Sequence, residues 1–296
     1  MRAYGSFALP GIDMLCDLIE LSTAKQCQSA VHQYGREGML SELYGVTGWD
    51  FDFAGHKFQG DWQAALGVTV RVPHLSWVSM AGEAKRDYPA SIHYQSPWWD
   101  KYPVIEDHFA RVNTALTRGK PLIKVGVIHP IESYWLHWGP AEQTSLVRDN
   151  MNENFCSMTE WLLFGGIDFD FISESLLPEQ CKNASAPLAV GKMAYDIIIV
   201  PGCETLRSST LERLEAFVER FRKLHEDTVF KSISKIHIVS GASPEGTWRL
   251  NQRLSKNRAN RIRSVLKRYI SLPDTVIVED SRGIDWQGLY ELVEAS

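Results

Sequence analysis

A chain of 296 residues is long enough for roughly two domains, and 44% hydrophobic with 23% charged residues is a globular balance that excludes a disordered or low-complexity chain. No run approaches the roughly 18 apolar residues of a membrane-spanning helix, and the opening Met1, Arg2, Ala3, Tyr4, Gly5 has no apolar core behind its one basic residue. The expectation is a chain without membrane span or export signal. The net charge of −5 is uneven, with 18 Lys+Arg against 27 Asp+Glu up to residue 221 and 13 against 9 beyond it.

In chain order, short apolar runs alternate with helical periodicity. The pattern predicts a strand over 12–16, a helix capped by Ser22 and running to about residue 34, and a strand over 39–43 after the Gly35 and Gly38 breakers. A helix over 61–66 and a strand over 68–72 follow. Residues 99–117 carry Val104, Ile105, Phe109, Val112 and Leu116 close to the 3.6-residue period and stop at Gly119. Beyond it the alternation repeats: strand 123–128, helix 144–164, strands 169–172 and 195–200, helix 209–221. The run Asp196 to Val200 suits a strand buried on both faces, turned by Pro201 and Gly202. A strand over 233–239, a turn over 240–246, a basic helix over 250–269, a strand over 275–278 and a last helix after Asp285 complete the chain. Strand–helix alternation of this kind predicts an α/β fold with parallel sheets. The boundaries fall at 1–119, 120–221 and 222–296, the last where the charge changes sign.

Eight of the ten tryptophans lie between Trp49 and Trp161, inside the acidic part, which suits a carbohydrate substrate. The most informative stretch is Ser41-Glu42-Leu43-Tyr44-Gly45-Val46-Thr47-Gly48-Trp49. A carboxylate at the end of an apolar strand, followed by glycine and aromatic loop residues, is how a β/α barrel presents a catalytic group at its carboxyl face. Glycoside hydrolysis needs such carboxylates because its transition state resembles an oxocarbenium ion. The competing use of Glu42 is structural, as a partner of Arg36 or a cap of its loop. Five cysteines without a Cys-x-x-Cys pair suggest neither a disulfide framework nor a zinc site, and no metal or cofactor is expected. Asn183-Ala184-Ser185 has the form of a glycosylation sequon, without meaning for a chain that is not exported.

The stretches TAKQCQSAVHQYGREGMLSELYGVTGWDFDFAGHKFQGDWQAALGV, RVPHLSWVSMAGEAKRDYPASIHYQSPWW and VIHPIESYWLHWGP resemble a family of large bacterial glycoside hydrolases, the family 42-like β-galactosidases, over about residues 10–221. The resemblance implies a partial TIM barrel over 1–119 and a flavodoxin-like, glutamine-amidotransferase-like domain over 120–221 that serves assembly as a homo-oligomer. It makes Glu42 the nucleophile after the seventh barrel strand. Trp49, His74, Trp77, Lys85, Arg86 and Asp87 would line or brace the sugar site. Read from the residues alone, Trp77 equally suits the core, and Lys85, Arg86 and Asp87 a surface ion-pair cluster. A complete barrel takes about 250 residues, so the earlier strands and the acid/base Glu of the family are missing, and little or no turnover is expected from this chain alone. Cys203, in VPGCETL, departs from the Gly-x-Cys-x-Gly elbow of amidotransferases.

KIHIVSGASPEGTWRLNQRLSKNRANRIRSVL and GIDWQGLYELVEAS resemble an OmpA-like peptidoglycan-binding domain of the Bacteroidetes type. That resemblance implies a small α+β module in which Asn251 and Arg258 meet peptidoglycan, a guanidinium fork suiting the carboxylate of the wall peptide. It would place the protein in the periplasm or at the outer membrane rather than the cytoplasm. Ser243, Pro244 and Glu245 stand where the family has its loop Asp. Arg258 also suits a solvated helix position among Arg253, Lys256, Arg261 and Arg263. No aromatic interleaving accompanies the basic helix, so a nucleic-acid partner is not expected. The two resemblances together imply a fusion or a fragment.

Overall fold

The computed structural model describes residues 1–16, 18–82, 92–184, 186–226, 236–241, 248–269 and 274–283. In chain order its elements are β1 (Gly11–Met14), α1 (Leu21–Tyr34), β2 (Met39–Leu43), α2 (Phe53–Ala65), β3 (Val68–Pro73), α3 (Pro103–Leu116), β4 (Val125–Ile128), α4 (Ile131–Leu136), α5 (Ala141–Phe164), β5 (Phe169–Ile172), α6 (Leu177–Gln180), β6 (Leu188–Val190), β7 (Met193–Tyr195), β8 (Ile197–Ile199), α7 (Ser208–Glu226), β9 (Ile236–Gly241), α8 (Trp248–Tyr269) and β10 (Ile277–Gly283). The fold is mixed α/β with parallel sheets.

Two compact units divide the chain. The first comprises Met1–His129, Phe169–Cys181 and Val190–Pro201. It holds two three-stranded parallel sheets, one in the order β1-β2-β3 and one in the order β5-β4-β8. In the first sheet consecutive strands are neighbours, with α1 and α2 as crossovers. Ile12 and Met14 of β1, Met39 of β2 and Val68 of β3 pack against Ala24, Cys27 and Val31 of α1, with Trp62 and Leu66 beside them. Ser41 of β2 reaches the same side, donating to Gln63 Oε1 of α2 at 2.5 Å. Side chains alternate along a strand, so Asp13, Leu40 and Glu42 lie on the other face. Val70 and Val72 of β3, each more than a third exposed, belong to that face by their pairing with Leu40 and Glu42.

The second sheet is buried on both faces at β4 and β5, whereas β8, within the run expected to be buried on both faces, is an edge strand with Ile197 55% exposed. Its β5 packs against α1 through polar groups. Asp170, wholly buried, accepts from His32 Nδ1–H at 2.9 Å and from the Tyr195 hydroxyl at 3.0 Å. Gln33 Nε2 donates to the Phe171 carbonyl at 2.8 Å and to the Tyr195 oxygen at 3.0 Å. Ser29 Oγ accepts the Phe171 N–H at 2.8 Å. Lys25, also wholly buried, bonds Gln28 and lies 4.9 Å from the centroid of the Phe169 ring. Most buried polar groups are paired, and here each of these pairs joins one element to another or braces the helix that does so.

The second unit comprises Pro130–Asp168, Lys182–Ala189 and Gly202–Ser296. Ser133 of α4 pins the loop before α7, its Oγ accepting the N–H groups of Glu204 and Thr205 at 2.9 and 3.1 Å. His137 and Arg207 add pairs with Glu204 and Glu132 across the same two segments. Further on, β9, α8 and β10 form a parallel βαβ unit around Ile238, Ala259 and Ile277. Ser255 and Asn251, one and two turns before Ala259, are buried on the same stripe.

Several elements differ from the sequence expectation. The cap of α1 is Glu20 rather than Ser22, with Thr23 Oγ1 donating to Glu20 Oε2 at 2.8 Å. The second helix starts at Phe53, not 61, because Asp52 caps it by accepting the Gly55 N–H at 2.9 Å. Pro103 at the first helical turn starts α3 four residues after the expected position. The expected strand over 195–200 is two short strands, β7 and β8. The last helix expected after Asp285 lies outside the described residues.

Candidate functional site

The carboxyl ends of β1, β2 and β3 form one edge, and the loops leaving it are backbone-strained. Cys16, Tyr44 and Val46 take positive φ values of 55°, 70° and 63°. Each such residue costs on the order of 1–3 kcal/mol unless its surroundings enforce it, and Val46 is β-branched, the least tolerant type. Two bonds enforce this one: Cys16 N–H donates to the Gly45 carbonyl at 2.7 Å, and Thr47 Oγ1 to the Tyr44 carbonyl at 2.6 Å. The Tyr44 side chain is buried among Phe51, Tyr102, Ile105 and Phe109, which anchors the loop from below. Burial raises the Tyr44 phenol above its ordinary range, so it stays neutral.

Glu42, one residue before the end of β2, has its side chain 43% exposed, and His74 Nε2 lies 3.9 Å from its Oε1. The alternative partner, Arg36, is engaged elsewhere, donating to the Gly5 carbonyl at 2.8 Å. His74 follows β3 directly and is tied to the neighbouring strand, its N–H donating to the Leu43 carbonyl at 2.8 Å. The ring lies against Gly45, where any Cβ would come within 2.9 Å of His74 Cδ2. Its Nδ1 contacts the Leu75 carbonyl at 3.2 Å, and because a carbonyl only accepts, that contact makes Nδ1 the protonated nitrogen. Nε2 is the nitrogen left facing the Glu42 carboxylate.

Trp49, 44% exposed, lies in the loop after Glu42 and packs on Trp77, the ring centroids 5.6 Å apart and tilted by 32°. Trp77 is 7% exposed, and its indole N–H has no acceptor among the described residues. The structure thus places Glu42 beside His74 and Trp49 beside Trp77. Lys85, Arg86 and Asp87 lie outside the described residues. In the second unit Asn251 is buried, its Nδ2 without a partner among the described residues. Arg258 falls on α8, and its side chain is not among those described.

Sequence reasoning missed Asp13, which pairs in register with Glu42 and shares its face. A lone acid inside an apolar strand carries no local signal; only the sheet register places it. The Asp170 network was missed for the same reason. Among the described residues no group of three or more His, Cys, Asp or Glu could hold a metal ion. No helix among them is long and apolar enough to cross a membrane.

Comparison with known proteins places the fold. No family model matches the chain, and no curated protein matches it significantly. Among solved structures the chain is similar to a rhamnosidase from Novosphingobium sp. PP1Y, with a TM-score of 0.54 and 14% identity over 99% of this chain. A GH42 β-galactosidase from G. stearothermophilus matches 80% of the chain at 13% identity with a TM-score of 0.45, over 33% of its own length. The likeness to the rhamnosidase is of fold alone. The chain spans 26% of the rhamnosidase it matches.

Proposed function

We propose that this chain carries the nucleophile-bearing part of a retaining glycoside hydrolase, with Glu42 as nucleophile and a neutral sugar held between His74 and the Trp49/Trp77 pair. The observation that carries the reading is the pairing of Glu42 with His74 at a strained carboxyl edge of a parallel sheet. An exposed carboxylate can attack an anomeric carbon, aromatic faces cover the apolar side of a pyranose, and a histidine acceptor orients a hydroxyl. Residues 1–119 are assigned on this reading to part of a β/α barrel and 120–221 to a flavodoxin-like domain that supports assembly. A second reading, noncatalytic peptidoglycan binding after residue 222 through Arg258, draws on the parallel βαβ unit of β9, α8 and β10.

The test is covalent trapping. Incubation of the full chain with dinitrophenyl 2-deoxy-2-fluoro-β-galactoside, a probe chosen from the sequence resemblance, is expected to add one fluorosugar by intact-mass spectrometry. Peptide mapping should place it on Glu42, and Glu42→Gln should abolish it. Labelling that persists in Glu42→Gln refutes the assignment. Retention on purified peptidoglycan that is lost in Arg258→Ala, without trapping, favours the second reading.

A further inference from the structure

The second sheet ends in two unlike edges. Its order is β5-β4-β8, and all four residues of β5 are buried, so that edge is covered. At the other edge no further strand pairs with β8 among the described residues. Ile197 is 55% exposed there, and Val200, which continues the apolar run, is 44% exposed. An open strand edge carries unpaired N–H and C=O groups, and proteins blunt it with a lysine, a proline or a bulge. None of these stands in β8. Its three residues are isoleucines, and its register with β4 runs without a shift from Val125 opposite Ile197 to Val127 opposite Ile199. Pro201 comes only after the strand has ended. The adjacent Asp196 is paired with Lys124 at 3.0 Å, so its charge is compensated.

The backbone fixes what this edge can accept. Ile197 N–H donates to the Lys124 carbonyl at 3.1 Å, and alternate residues of a strand turn their backbone groups to the same side. Ile197 and Ile199 therefore bond β4, and the N–H and C=O of Ile198 point away from it. A second β8 running antiparallel, with Ile198 on a two-fold axis, lets the two Ile198 residues exchange both bonds, as a hydrogen-bonded pair of an antiparallel ladder does. The same register sets Ile197 opposite Ile199 of the second copy, on both sides of the axis, as closely spaced β-branched pairs. Asp196 falls opposite Val200, so the acids of the two copies do not meet. An edge that complements itself in hydrogen bonds, side chains and charge is what a two-fold interface between identical chains requires.

We infer that β8 is an interface strand, pairing antiparallel with β8 of a second copy of this chain about a two-fold axis at Ile198. The inference rests on the assembly role proposed for residues 120–221, to which it gives a surface and a partner, and it is independent of Glu42. Pairing joins two three-stranded sheets into one, in the order β5-β4-β8-β8-β4-β5. The strand is short, so the interface lies at the small, weak end of the range and micromolar association is expected.

Sedimentation velocity on the full chain over about 1 to 100 µM spans that affinity. The parent chain is expected to pass from monomer to dimer. Ile197→Lys sets a charge against Ile199 of the second copy and should weaken the dimer roughly tenfold or more. Ile197 is exposed, so the melting temperature should hold, which circular dichroism checks. A second measurement does not depend on that variant. Ile197→Cys and Ile199→Cys chains are mixed and oxidised with copper phenanthroline, and the linked peptides are read by mass spectrometry. A disulfide between position 197 of one chain and 199 of another is expected, in excess of links between like positions. A parent dimer without that cross-link, or with its affinity unchanged in folded Ile197→Lys, overturns the β8 interface and leaves the assembly role standing. A parent chain that stays monomeric throughout overturns both.

Discussion

Asp170→Ala is the substitution that tests the packing of α1 on β5 most directly. It removes a wholly buried carboxylate that accepts from His32 at 2.9 Å and Tyr195 at 3.0 Å. The Tyr195 hydroxyl, also buried, keeps its bond from Gln33 but loses its own acceptor, at about 1–3 kcal/mol. The His32 side chain is 10% exposed and loses the carboxylate its Nδ1 bonds, with water compensating part of that loss. Together the two lost bonds cost about 2–4 kcal/mol. Asp170→Asn is the control: its amide oxygen still accepts from Tyr195 and its NH₂ donates to the other tautomer of His32, so a loss of about 1 kcal/mol is expected. The assay is urea unfolding followed by tryptophan fluorescence, with His32→Ala and the double variant completing a cycle whose coupling should be about 1–3 kcal/mol. An Asp170→Ala loss below about 1 kcal/mol, or additive single variants, would refute the view that this network fixes the helix to the sheet.

Acidification should destabilise the first unit. Burial, and behind it the nearby N-terminal ammonium, lower His129 from 6.5 to about 4. The unfolded chain therefore binds this proton below pH 6.5 while the folded chain does not. Stability is full above pH 6.5, falls as pH drops toward 4, and loses nothing further from this group below that, for a total of about 3 kcal/mol. Denaturation midpoints from pH 7 to 4 should slope less in His129→Asn. At the α2–α3 contact, a Cβ at Gly60 would stand 2.0 Å from Phe109 Cζ, and the Arg71 guanidinium lies 3.7 Å from the centroid of that ring. Overpacking of about 1–3 kcal/mol exceeds the roughly 1 kcal/mol of helix propensity gained. Gly60→Ala should therefore lower thermal stability, and Phe109→Leu in the same chain should recover part of it.

Much of the architecture was legible because it is written in local periodicity. Strand–helix alternation marked β4 and β5, a 3.6-residue repeat marked α3, and Gly35 in the left-handed conformation ends α1 where a glycine breaker was expected. Periodicity alone does not mark the start of α2, which is set by Asp52, an acid three residues before the backbone N–H it caps. Glu42 was legible as a strand-end acid, and His74 as a residue that follows a strand.

What only the tertiary structure decided is which of these meet. Sequence by itself determined the element types, the parallel character of the sheets and the strand ends where chemistry could sit, because those follow from spacing along one chain. The pairing of Asp13 with Glu42, the approach of His74 and the burial of Asp170 beneath His32 depend on sheet register and helix packing. Those bring together residues 29 to 138 positions apart, at separations where no local pattern constrains them.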